Sequence, residues 1–124
     1  MSRKRILIVD DELSILVPIK FLLEKNGYQV IQAGDGITGI EKAGESRPDM
    51  ILLDIQLPEM DGYTVARKLK SNPQFSDTPI VAVTSYAMVG DRERVLESGC
   101  TGYIEKPINP ETFVEEISQY LSIE

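Results

Sequence analysis

The chain contains no histidine. That absence removes Ser-His-Asp and Cys-His catalysis together with the usual His-bearing zinc sites. Any chemistry must then run on carboxylates, hydroxyls, lysine or a bound cation. Cysteine is almost as scarce: Cys100 stands alone, so no internal disulfide forms and a small buried thiol is expected. No apolar run approaches the ~20 residues of a membrane span. The basic start Ser2-Arg3-Lys4-Arg5 leads into only four apolar residues, too short for the core of a secretory signal. A cytoplasmic protein with no membrane contact is the expectation. Positive charge is in deficit as well, with 13 Lys and Arg against 20 Asp and Glu, a net charge of −7. Direct nucleic-acid binding relies on clustered cations that displace counterions, and this balance argues against it. Proteins and cations are the partners it favours.

What is present reads as one domain. At 124 residues the chain can bury a real core. No linker, low-complexity tract or repeat divides it, so residues 1–124 are read as a single unit. Short apolar runs alternate with amphipathic stretches of helix length. Ile6-Leu7-Ile8-Val9 has strand length and ends in Asp10-Asp11-Glu12. From about Glu12 to Asn26, Leu16, Ile19, Leu22 and Leu23 fall at helical spacing, with a stop at Gly27. Pro18 removes a backbone donor there and is expected to bend the helix. Tyr28–Ala33 is a second strand, and Ile37–Glu45 a helix weakened by Gly39 and Gly44, to be held by packing. Met50–Leu53 is the third strand, and Asp61-Gly62 opens a helix with Val65, Ala66 and Leu69 inward. Pro79–Val83 and Gly102–Glu105 are strands four and five, separated by a helix near Ala87–Glu97. Asn109-Pro110 caps and opens the last helix, whose buried stripe is Phe113, Ile117 and Leu121. Five such alternations on continuous apolar runs predict an α/β fold, a doubly wound parallel sheet covered by helices on both faces.

The polar residues fall just beyond the strands: Asp10-Asp11, Asp54, Thr84-Ser85 and Lys106. Ligands of doubly wound sheets bind outside the carboxyl ends of the strands, where the strand order reverses. For the order 2-1-3-4-5 that point lies between strands one and three, where the three aspartates converge. Carboxylates so placed repel one another unless a positive charge compensates. Hard oxygen ligands with room for water suit Mg²⁺, and Lys106 adds a fixed charge. A carboxylate is also a competent nucleophile toward phosphorus. Cation, lysine and hydroxyl are what a transferring phosphoryl group requires. Singly, each has a plainer reading, since Asp10-Asp11 could cap a helix and Lys106 could be a surface lysine before a turn. The coincidence of all five at one edge is what carries weight.

These residues resemble the receiver domain of response regulators, the CheY-like fold. The resemblance runs from Ile6 to about Leu121 and rests on four markers. They are Ile-Leu-Ile-Val-Asp-Asp at 6–11, Leu-Leu-Asp-Ile-Gln-Leu-Pro-Glu-Met-Asp-Gly at 52–62, Val-Thr-Ser at 83–85 and Lys-Pro at 106–107. It implies Asp54 as phosphoacceptor, with Asp11 and Asp54 as carboxylate ligands of Mg²⁺. Asp10 would act largely through water, and the Gln56 carbonyl would complete the set. It implies that Thr84 and Lys106 engage the phosphoryl group, that Tyr103 is a switch aromatic, and that Lys106-Pro107 is a cis peptide. Tyr103 as an ordinary core aromatic is the alternative. The stretches 83–94 and 99–104 are similar to DivK-type single-domain regulators, and also to receivers attached to hybrid kinases. Gln56 and Tyr86 flank the phosphoryl position and are expected to set its lifetime, with slow self-dephosphorylation because neither is an obvious base.

An aspartate-nucleophile phosphatase is the enzymatic rival, but it needs a second acid two residues after the nucleophile, where this chain has Gln56. A flavin module needs a hydroxyl- and glycine-rich phosphate loop after strand one, where Asp10-Asp11-Glu12 would repel the anion. A pseudo-receiver, an interaction domain without the chemistry, is disfavoured by the complete set of pocket side chains. With no histidine and no Gly-x-x-x-x-Gly-Lys loop, the phosphoryl group must come from a histidine kinase or histidine phosphotransfer partner. No effector domain is visible within these 124 residues, so, unless they are an excised piece of a longer chain, output to a downstream protein through helix four, strand five and helix five is expected. Pairing of two copies through that face stays open.

Overall fold

A computed structural model of the chain describes residues 4–57, 60–84, 89–106 and 108–121. Strands β1 (Arg5–Val9), β2 (Gln29–Ala33), β3 (Met50–Asp54), β4 (Ile80–Thr84) and β5 (Gly102–Glu105) form one parallel sheet in the order β2-β1-β3-β4-β5. Helices α1 (Leu13–Lys25), α2 (Gly36–Ser46), α3 (Gly62–Lys70), α4 (Val89–Glu97) and α5 (Pro110–Leu121) follow the strands in turn. The expected architecture is therefore the observed one, with boundaries shifted by a residue or two. One element escaped the sequence reading, a 3₁₀ turn at Pro73–Phe75 that buries Phe75 and is capped by the Asn72 side chain.

Alternation along each strand divides the core in two. Leu7, Val9, Ile51, Leu53 and Ala82 face a layer that includes Ala43 of α2, Val65, Ala66 and Leu69 of α3, and Val95 of α4. Ile6, Ile8, Leu52, Val81 and Val83 face Leu16, Ile19 and Leu23 of α1 and Phe113, Ile117 and Leu121 of α5. Because the central strands are buried on both sides, their sequences read as continuous apolar runs rather than as alternating ones. Each fully buried Leu or Ile contributes about 1.5–3 kcal/mol by leaving water.

Caps and one close approach set the helices in place. Asp35 and Asp61 accept the Thr38 and Thr64 amides at 2.7 and 2.9 Å, and Asn109 accepts the Glu111 amide at 2.9 Å. Helix α1 runs unbroken through Pro18, which lies on its exposed side. Gly39, a poor helix former, has a packing reason: a Cβ there would lie 2.9 and 3.0 Å from the Val9 methyl carbons. The missing side chain lets α2 sit down on β1.

Candidate active site

Register delivers the pocket. Val9 stands opposite Leu53, so the next rung brings Asp10 level with Asp54. Asp54 is opposite Val83 and Thr84 opposite Glu105, which sets Thr84 and Lys106 one step further along. The Lys106 amide donates to the Thr84 carbonyl at 2.8 Å, tying the two strand ends together. The Asp10 amide likewise donates to the Ala33 carbonyl at 3.0 Å. Asp10, Asp54 and Thr84 are buried, whereas Asp11 and Gln56 are exposed.

Each buried carboxylate has one oxygen held by the backbone. Asp10 Oδ1 accepts the Glu12 amide and Asp54 Oδ1 accepts the Gln56 amide, both at 2.9 Å. The other Asp54 oxygen, Oδ2, is buried with no hydrogen bond among the described residues. Its neighbour is the Lys106 ammonium, 3.6 Å away. That same Nζ lies 3.7 Å from Asp10 Oδ2 and 3.6 Å from Glu12 Oε1. One lysine is thus spread over three carboxylates and reaches none at hydrogen-bond distance. The electrostatic strain registers at Asp10. Its carboxyl is raised from 3.8 to about 6, chiefly by burial and also by the Asp54 and Glu12 charges, against the Glu12 amide and Lys106, which lower it.

A cation fits this arrangement. One oxygen each from Asp10, Asp11, Glu12 and Asp54 lie within 4.8 Å of one another, an all-oxygen set of the kind hard divalent ions prefer. A buried carboxylate oxygen without a partner calls for an explanation, and Mg²⁺ beside Asp54 Oδ2 provides one.

The floor of the pocket is backed by Gly62. Its amide donates to the Ile55 carbonyl at 2.9 Å, and a Cβ there would lie 2.5 Å from Ile55 Cα and 2.7 Å from the Asp54 carbonyl oxygen. The next residue, Tyr63, is buried and carries the Arg94 guanidinium of α4 over its ring, 4.3 Å from the centroid. Tyr103 is half-buried and packs against the same apolar layer as Tyr63 and Val95.

The structure therefore brings together Asp10, Asp11, Asp54 and Lys106, with Thr84 at the adjoining strand end and Gln56 held through its amide. Tyr103 lies on the neighbouring strand β5, in the same apolar layer as α4. Tyr86, Ser85, Ala87, Met88 and Pro107, and with it the expected cis peptide, lie outside the described residues. Sequence reasoning passed over Glu12 as a pocket residue and Arg94 as a contact of Tyr63. The acidic triplet Asp10-Asp11-Glu12 was a visible signal for the first; nothing local signals the second.

A model of the response regulator receiver domain matches residues 6–118. The polar-differentiation response regulator DivK of Brucella anthropi is 42% identical over 118 residues, covering 95% of this chain and 96% of that protein. Among solved structures, chemotaxis protein CheY4 of Vibrio cholerae superposes with a TM-score of 0.92 at 30% identity, over 96% of this chain and 99% of that one. The receiver domain of a Pseudomonas aeruginosa sensor histidine kinase, solved with a magnesium ion coordinated in its active-site cleft, gives a TM-score of 0.88. Its identity is 32%, over 97% and 98% of the two chains.

Proposed function

We propose, from the premise that this chain belongs to the response regulator receiver domain family, that residues 1–124 form one phosphorylation-switched unit with Asp54 as acceptor. Receiver domains are signalling switches of two-component systems rather than classical enzymes. The observation that carries the reading is Asp54 Oδ2, buried without a hydrogen bond among the described residues and 3.6 Å from a lysine it shares with two other carboxylates. A nucleophile tied up by strong donors would be a poor one.

A histidine kinase or histidine phosphotransfer protein presents phosphohistidine in line with Asp54. The Asp54 oxygen forms the new bond to phosphorus as the phosphorus–nitrogen bond breaks, and the electron pair returns to the imidazole. Lys106 leaves its shared position to pair with the phosphoryl oxygens, and the Thr84 hydroxyl donates to another. Asp11, Asp54, the Gln56 carbonyl and (largely through water) Asp10 would hold Mg²⁺, which would supply positive charge facing the group being transferred. As Thr84 moves, Tyr103 turns inward and the face of α4, β5 and α5 changes its affinity for a downstream protein in the cytoplasm. A bias of a few kcal/mol between two existing states is enough. Gln56, two residues after the acceptor, and Tyr86, two residues after Thr84 in the sequence, are assigned the role of keeping its hydrolysis slow.

The test is incubation with acetyl phosphate, with and without Mg²⁺, read by intact mass beside an Asp54→Asn control. A single phosphoryl adduct that requires both Mg²⁺ and Asp54 is expected. No adduct, under conditions that label another receiver, would leave a protein-interaction domain without the chemistry. For Tyr103, structures with and without fluoroberyllate should differ in its rotamer; one rotamer in both would remove it from the switch.

A further inference from the structure

Glu12 occupies the N-cap position of α1, yet its side chain caps nothing. Its carboxylate is directed instead to Lys106, with Oε1 3.6 Å from Nζ, and one of its oxygens belongs to the same cluster as those of Asp10, Asp11 and Asp54. It differs from the two buried partners of Lys106 in its exposure: the Glu12 side chain is 52% exposed, those of Asp10 and Asp54 4% and 1%. Asp10 and Asp54 are fixed by backbone amides. Glu12 is the one partner of Lys106 in this trio that can swing into water at little desolvation cost.

We infer that Glu12 is a resident competitor for Lys106, holding the ammonium while Asp54 is bare and releasing it when a phosphoryl group arrives. The inference rests on the acceptor role of Asp54 proposed above. Two consequences of opposite sign follow from one negative charge at the mouth of the pocket. Toward a cation, Glu12 adds attraction. Toward a phosphoryl-like anion it adds repulsion and withholds the lysine the anion needs. A purely structural role at the start of α1 would disturb both affinities in the same direction.

The experiment compares wild type with Glu12→Gln, which keeps shape and removes charge. Mg²⁺ alone is titrated by calorimetry, and fluoroberyllate is titrated at saturating Mg²⁺ by fluorine NMR. A half-exposed ion pair is worth about 0.2–1 kcal/mol, so each affinity is expected to move about 1.4- to fivefold. Mg²⁺ binding should weaken and fluoroberyllate binding tighten, and both differences should shrink at high salt. Affinities that stay unchanged, or that weaken together, overturn the inference while leaving Asp54 as acceptor. A wild-type protein that binds neither probe overturns the acceptor reading and this inference with it.

Discussion

Two lysines, at opposite ends of the strands on the β4–β5 side of the sheet, show how the same side chain serves fold and function differently. Lys70, at the end of α3, donates to the carbonyls of Phe75, Ser76 and Thr78 at 3.0, 3.4 and 2.6 Å. Its hydrogen bonds close the turn that leads into β4. Lys106, beyond β5, lies 3.6–3.7 Å from three carboxylates, none of them within hydrogen-bonding reach. Lys70 holds backbone in place and its satisfaction is local; burial lowers its pKa, against the charges of Asp77 and Cys100, which raise it. Lys106 is kept under-satisfied among charges that are themselves poorly satisfied. Fold is built where polar groups find partners, and chemistry is kept where they are held just short of them.

That contrast is sharpest in exchange for methionine, which keeps much of the stem and removes the charge. Lys106→Met should slow adduct formation from acetyl phosphate at least tenfold, since one charge facing the transferred group is lost. It should also lower stability in chelator, where two buried carboxylates lose their counter-charge, and much of that loss should return when Mg²⁺ is added. Urea melts with and without Mg²⁺ check it; a stability loss that Mg²⁺ does not touch would break the comparison.

Asp10→Asn gives the next effect, in chelator. The Asp10 carboxyl is raised in the fold from 3.8 to about 6, so the native state binds more protons than the unfolded one between those values. The ionised carboxylate therefore costs stability above about pH 6, and the cost disappears as pH falls toward 3.8. Replacement should stabilise at pH 7.5 by about 2–3 kcal/mol, with the gain vanishing near pH 4. Denaturation across that range reads the crossover directly.

Lys70→Met should cost about 1–2 kcal/mol through the unpaired carbonyls, with no response to Mg²⁺ and adduct formation intact. Smallest is the pair of α2 glycines. Gly44→Ala meets nothing within 4 Å and should stabilise by about 0.5–1 kcal/mol. Gly39→Ala, facing Val9 at 2.9 Å, should lose that gain and about 1 kcal/mol more to overpacking. A smaller cost of Gly39→Ala in a Val9→Ala background than in wild type would confirm the contact.

Much of this was legible in the sequence because a parallel sheet turns position along a strand into position in space. Runs such as Ile6–Val9 announce strands, and whatever follows each run lands at the same edge. Asp10, Asp54, Thr84 and Lys106 could therefore be gathered before any coordinates. Features that depend on a particular through-space neighbour were not legible. Gly39 looked like a flaw in a helix until Val9 was beside it. Lys70 was an ordinary helix-end lysine until the 3₁₀ turn brought three carbonyls to it. The acid after the aspartate pair was visible, but its engagement with Lys106 was not, because nothing in Glu12 itself says where a flexible side chain points.

The closure between Ile55 and Gly62, one backbone hydrogen bond with no room for a methyl group, has a consequence for heredity. It anchors the acceptor strand to α3 by main-chain atoms, whatever side chains stand between. The Gln56 side chain, exposed and tied to Asp54 only through its main-chain amide, can therefore be exchanged without relocating Asp54, so a lineage can retune how long a signal persists while the acceptor itself stays put.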